Sequence, residues 1–241
     1  MNPIFVALDF PTWQKANTFL EDSELSGVPV KVGMELFYRE GIYVIEQLKL
    51  RNHPIFLDLK LHDIPTTVMR AMRNLATLEV DYVNVHALGG KDMIKRAKEG
   101  LQTPSQTNHE TKLLAVTILT SMDEQTMHGD LTLRGTVNEN VLHFANIAYE
   151  SGANGVVCSV HESRDIKRVT DDKFETVTPG IRLAIDENDD QKRVATPSYA
   201  QGEGVDAIVI GRSITKASNP KLAYNQALKE WNNGTSNGNN K

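Results

Sequence analysis

With 241 residues the chain has room for one large domain or two small ones, and 40% hydrophobic against 24% charged residues is the balance of a globular protein with a substantial core. A net charge of −5 and a pI near 5.8 exclude the broad positive field that draws proteins to nucleic acid or anionic membranes. An anionic ligand would have to be held by a few local Arg and Lys side chains.

Short apolar runs rich in Val, Ile and Leu recur along the chain, separated by segments of helical periodicity. The first, Ile4–Asp9, opens the chain in MNPIFVALDF. That opening carries no basic segment and no long apolar stretch, which predicts no signal peptide. A helix over Thr12–Leu20 follows, then a strand at Val28–Val32 and a helix over Tyr38–Lys49. Next come a strand at Ile55–Lys60, a helix over Thr66–Glu79, a strand at Tyr82–His86 and a helix over Gly90–Leu101. Residues 103–111 read as an exposed loop before the strand Leu113–Leu119, and 123–138 as a longer polar stretch with room for a short helix. The second half continues as helix Glu139–Glu150, strand Gly155–Ser159, helix Arg164–Thr170, strand Phe174–Thr178, helix Lys192–Gly202, strand Ala207–Ile210 and helix Lys221–Trp231. Cys158, the single cysteine, excludes an intrachain disulfide and reads as a buried thiol.

Eight strands without clean alternation, each followed by a helix, predict a parallel sheet buried on both faces. In this length they favour an α/β fold of the closed (β/α)8 TIM-barrel type over an open sheet: one domain over residues 1–231, with a disordered Asn/Gly-rich tail at 232–241. No window approaches about 18 consecutive apolar residues, so no membrane span is expected and the expected location is the cytoplasm.

In a barrel, chemistry belongs at the carboxyl ends of the strands. Charges gather there. The third strand runs into FLDLKLHDIPTT, where Asp58 and Lys60 lie two apart and share a face. An acid and an amine on an apolar strand must pair to be buried, so a structural ion pair is the plain reading of these two alone. Asp63, ahead of Ile64-Pro65, could simply start the next helix. Asp9 at the end of the first strand and Lys31 in VPVKVGMELF shift the balance, because a barrel would aim them at the same mouth. Asp9, Lys31, Asp58, Lys60 and Asp63 then form an alternating acid–amine array able to deliver a proton from Lys60.

The last two strands carry a different chemistry. TPGIR (Thr178–Arg182) and IGRSI (Ile210–Ile214) each place a glycine and an arginine at a strand end, a pattern suited to phosphate oxygens. Between them, 183–193 is a polar segment suited to a lid. Thr120 and Ser121 in ILTSM offer hydroxyls to a heterocycle or simply cap a turn. His86 and His161 fall into no zinc or triad spacing and read as structural.

The D-x-K-x-x-D at Asp58–Asp63, with FVALDF, VKVGMELF, VTPGIR and VIGRSIT in order, resembles the bacterial orotidine 5'-phosphate decarboxylase family over about residues 1–231. The resemblance implies a cofactor-free, metal-free decarboxylase that turns orotidine 5'-phosphate into UMP in pyrimidine biosynthesis. It further implies that Lys60 protonates C6, that Asp58 lies beside the substrate carboxylate, and that Lys31 and Asp63 help hold Lys60. Asp9 and Lys31 would bind ribose hydroxyls and Thr120 the pyrimidine edge. Gln191, Arg182 and Arg212 would engage the phosphate, with Pro179 and Gly211 also among the substrate-binding residues. It implies a homodimer in which Asp63, Ile64 and Thr67 reach the partner's site. Two other readings stay open: a related Mg2+-dependent enzyme acting on a sugar phosphate, and a non-catalytic barrel that binds nucleotide phosphates.

Overall fold

The structure, a computed structural model, describes residues 2–102, 109–183 and 195–236. Eight parallel strands close a barrel in chain order, each pairing with the next and the last with the first. They are β1 (Ile4–Ala7), β2 (Val30–Gly33), β3 (Ile55–Leu61), β4 (Tyr82–His86), β5 (Lys112–Val116), β6 (Gly155–Val157), β7 (Glu175–Thr178) and β8 (Ala207–Ile210). The predicted fold class and every predicted strand are present: β4 and β8 have the expected bounds, and the ends of the others shift by at most three residues. The strands are buried because both faces are covered. Their outward residues pack on helices, and their inward residues form a smaller cluster of Phe5, Ala7, Phe56, Tyr82, Leu114, Val177, Ala207 and Val209. Phe5, Phe56 and Tyr82 meet edge to face with centroids 5.7–6.2 Å apart, plugging the barrel beneath its mouth.

The helices are α1 (Trp13–Asp22), α2 (Met34–Glu40), α3 (Ile42–Leu50), α4 (Pro65–Ala76), α5 (Gly90–Leu101), α6 (Glu124–Gly129), α7 (Val137–Glu150), α8 (Ser163–Val169), α9 (Pro197–Gly202), α10 (Arg212–Thr215) and α11 (Pro220–Ser236). Local chemistry sets their ends. The Thr12 hydroxyl accepts from the Lys15 N–H at 3.2 Å, and Thr136 with Glu139 forms a reciprocal capping box. Pro65 occupies the first turn of α4, where its missing N–H costs nothing.

Two expectations need correction. The helix expected over Tyr38–Lys49 is two helices, because Gly41 takes φ 64° and breaks the run. The tail expected to be disordered from 232 begins as helix, with α11 running to Ser236. Gly234 lets α11 press onto α9: a Cβ there would meet the Ser198 carbonyl oxygen at 2.7 Å. Residues 237–241 lie outside the described residues. No helix among the described residues is long and apolar enough to cross a membrane.

Candidate active site

Inward-pointing residues at the carboxyl ends of β2 and β3 build the mouth. Lys31 on β2 and Asp58 and Lys60 on β3 face one another, with Asp9 just past β1. Lys31 Nζ lies 3.0 Å from Asp9 Oδ1 and 3.5 Å from Asp58 Oδ2, and Lys60 Nζ lies 2.6 Å from Asp58 Oδ1. The predicted acid–amine alternation is therefore assembled across four members. Asp58 is its hub, 9% exposed and ringed by donors. Burial alone would raise its pKa. The ammoniums of Lys31 and Lys60, then hydrogen bonds from Lys60 and Asn84, overcome that and hold the carboxyl below the usual carboxylate range.

Asp63 departs from the array. It is exposed and accepts from the N–H of Ile64 at 2.6 Å; among the described residues no ion pair joins it to a cation. Ile64 is 69% exposed, and Thr67 lies exposed in the first turn of α4.

Below the array is a cavity of about 240 Å³. The charged side chains of Lys31, Asp58 and Lys60 hold one wall, and Thr120 with Ser121 supplies hydroxyls on another. The floor is apolar, made by Phe56, Val116, Ile118, Val157 and Val209, and Pro179 closes the β7 side. Charges held beside an apolar floor are screened less than they would be in open water.

The ends of β7 and β8 carry the Gly-Arg pair. Gly180 turns the chain with φ 80°. Arg182 donates through Nη1 to the Ile181 carbonyl at 3.1 Å, while its Nη2 is buried without a partner among the described residues. Thr178 Oγ1 and Ser213 Oγ are buried and unpartnered in the same sense. Three such polar atoms at two adjacent strand ends leave donors waiting for an acceptor. Gly211 and Arg212 begin α10 at the end of β8. Gln191 and nearly all of the segment read as a lid lie outside the described residues. Its flanks are pinned together, since Ile181 bridges Ala195 and the Arg182 N–H donates to the Ala195 carbonyl at 3.0 Å.

Asn84 at the site went unread in the sequence. It is 1% exposed in the middle of β4, donates to Asp58 Oδ1 at 2.7 Å and accepts from the Lys60 N–H at 2.7 Å. A polar residue inside the apolar run YVNVH was the available signal. His62 and His86 stack with centroids 5.8 Å apart; burial, His62 and Lys60 lower the pKa of His86. Among the described residues, no group of three or more His, Cys, Asp or Glu is placed to hold a metal ion.

The chain matches the family model for orotidine 5'-phosphate decarboxylase / HUMPS over residues 2–227. It belongs to that family. Similar curated relatives are the orotidine 5'-phosphate decarboxylase of Bacillus pumilus, 55% identical over 94% of this chain and 97% of the relative, and that of Listeria monocytogenes, 51% identical over 96% of this chain and all of the relative. The crystal structure of orotidine 5'-phosphate decarboxylase from Lactobacillus acidophilus superposes with a TM-score of 0.84 at 43% identity, covering 96% of this chain and all of that one. For the orotidine 5'-phosphate decarboxylase / HUMPS family, this places the charged mouth and the paired Gly-Arg ends within the part of the chain that the match spans.

Proposed function

We propose that the chain decarboxylates orotidine 5'-phosphate to UMP in pyrimidine biosynthesis, with Lys60 as the proton donor. The observation that carries this reading is the Lys60 ammonium held 2.6 Å from a buried carboxylate at the rim of an apolar cavity. When the C6–carboxylate bond breaks, its electron pair remains on C6 as CO2 departs. That lone pair lies in the ring plane and gains nothing from the ring π-system. A fixed ammonium stabilises the growing charge and then gives its proton to C6, leaving a neutral amine that solvent reprotonates. Asp58 keeps Lys60 aimed and presents negative charge where the substrate carboxylate enters.

Asp9 and Lys31 bind ribose hydroxyls, and Thr120 reads the pyrimidine edge. Pro179, Gly211, Arg182, Arg212 and Gln191 hold the phosphate; the unpartnered atoms of Arg182, Thr178 and Ser213 support an anion there. The phosphate lies remote from C6, so its binding energy is available to position the ring. The working unit is a cytoplasmic homodimer. Asp63, Ile64 and Thr67 serve the neighbouring subunit's site, a reading supported by the exposure of all three and by the exposed apolar side chains Met34, Tyr38, Ile42 and Tyr43.

The Mg2+-dependent alternative fits the donor set poorly: a divalent cation on Asp58 would sit against two ammoniums already within 3.5 Å of that carboxylate. Turnover of orotidine 5'-phosphate, followed by loss of the orotate-ring absorbance, is expected to persist in EDTA. Loss of activity on chelation would overturn the cofactor-free reading. A wild-type protein that binds UMP yet never consumes orotidine 5'-phosphate would favour a binding barrel instead.

A further inference from the structure

The strand pairing between β3 and β4 is irregular where the chemistry sits. Phe56 faces Tyr82 and Leu57 faces Val83, but the next aligned pair is Leu61 with Val85, so β3 carries two more residues than β4 across this gap. Lys60 lies in the gap with φ 52°, a left-handed conformation that side-chain-bearing residues avoid. Such a residue persists only where its surroundings over-determine it.

Asn84 does this. Its Oδ1 takes the Lys60 N–H that the broken ladder leaves unpaired, and its Nδ2 donates to Asp58 Oδ1, each at 2.7 Å. The orientation of the amide is forced by its partners. A backbone N–H can only donate and an ionised carboxylate only accept, so neither contact survives a flip. The circuit closes through Lys60 Nζ, which returns to the same Asp58 oxygen at 2.6 Å. With Oδ1 taking two donors, Oδ2 is left to Lys31. Asn84 does not line the cavity and is 1% exposed, so water cannot replace it.

We infer that Asn84 is a positioning residue, fixing the Asp58 carboxylate and the left-handed backbone of Lys60 with the two ends of one buried amide. This rests on the reading of Lys60 as proton donor and names what aims it.

The test uses Asn84→Leu and Asn84→Asp in the full chain, with circular dichroism and thermal melting to establish folding. Asn84→Leu removes both contacts at similar volume. Its kcat should fall about 100-fold, the usual cost of about 1 Å of misplacement, while KM and UMP affinity stay within about threefold. Asn84→Asp keeps the acceptor for Lys60 but sets a carboxylate against Asp58. The ionisable groups that bear on it are Asp58 and Lys60 in direct contact, Lys31 and Asp9 linked through Asp58, and His86 two residues on with His62 stacked on it, while β5 sets Leu114 opposite Asn84. Acidification protonates the new carboxyl and restores a donor, so its activity relative to wild type should rise as pH falls. A role in stability alone would lower the melting temperature without moving this ratio. The inference is overturned if a folded Asn84→Leu keeps kcat within about threefold of wild type, or if the Asn84→Asp ratio is flat with pH. If wild type does not turn over orotidine 5'-phosphate, the proposed function fails by itself. The clamp is then judged from crystals of Asn84→Leu: a Lys60 that keeps its left-handed backbone and its Asp58 contact overturns it, and a released one supports it.

Discussion

Replacing Asp58 by Asn removes one charge from the centre of the array at almost constant volume. At an effective dielectric constant of about 20, a unit pair at the Lys60 distance is worth about 6 kcal/mol and one at the Lys31 distance about 5 kcal/mol. Desolvating the carboxylate offsets much of this, and stripping one partner from a buried pair costs about 3–5 kcal/mol in practice. Lys60 is 27% exposed and can turn partly to water, so the lower end applies. The new amide also meets a conflict: if its oxygen serves Lys60 and Asn84, its NH2 points at the Lys31 ammonium. Denaturant unfolding should therefore show a loss of about 3 kcal/mol, and kcat should fall by at least about 100-fold as Lys60 loses its anchor. A variant with kcat within about threefold of wild type and stability unchanged within about 0.5 kcal/mol would refute the placement of Asp58 as hub.

Arg212→Ala should lower kcat/KM for orotidine 5'-phosphate about 10- to 100-fold, the value of a hydrogen bond to a charged group; turnover of orotidine, which lacks the phosphate, should be unaffected, and equal losses on both would place Arg212 elsewhere. His53 is 4% exposed, bonds the Val28 carbonyl through Nδ1 at 2.7 Å and buries Nε2 without a partner among the described residues. Burial, with help from Arg51 and against the Val28 bond, lowers its pKa. A depressed histidine stabilises the fold above its unfolded value of about 6.5 and loses that contribution as pH falls towards the folded value. The melting temperature should drop between pH 7.5 and 5, and less steeply in His53→Gln; an equal slope would discount His53. Mixing Lys60→Ala with Asp63→Asn subunits should restore activity beyond the sum of the two, because one site of each hybrid dimer is then intact. No gain after demonstrated subunit exchange would return Asp63 to its own chain's site.

The strand count and the barrel were legible because fully buried parallel strands write themselves as apolar runs. The charges Asp9, Lys31, Asp58 and Lys60 were legible as a group because a barrel sends every strand end to one mouth. What resisted reading was local backbone geometry. Nothing in FLDLKLHD signals that Lys60 turns left-handed, and a period-two reading of β3 hides the two extra residues that require Asn84. The helix break at Gly41 and the close approach at Gly234 depend on a single missing Cβ each, which periodicity does not weigh. Asp63 carried a charge in the right place in sequence but turns to its own backbone and to solvent, because the chain has already left the strand for α4.

The central claim is that the Lys60 ammonium supplies the proton that replaces CO2. The direct measurement is turnover of orotidine 5'-phosphate in D2O by wild type and by Lys60→Ala, with the UMP analysed for deuterium at C6 and UMP binding measured in both. Wild type should give UMP carrying one deuteron at C6. Lys60→Ala should bind UMP yet lose at least about 10⁴-fold in kcat, as both the proton donor and its charge are gone. A folded Lys60→Ala that forms deuterated UMP at the wild-type rate would contradict the account.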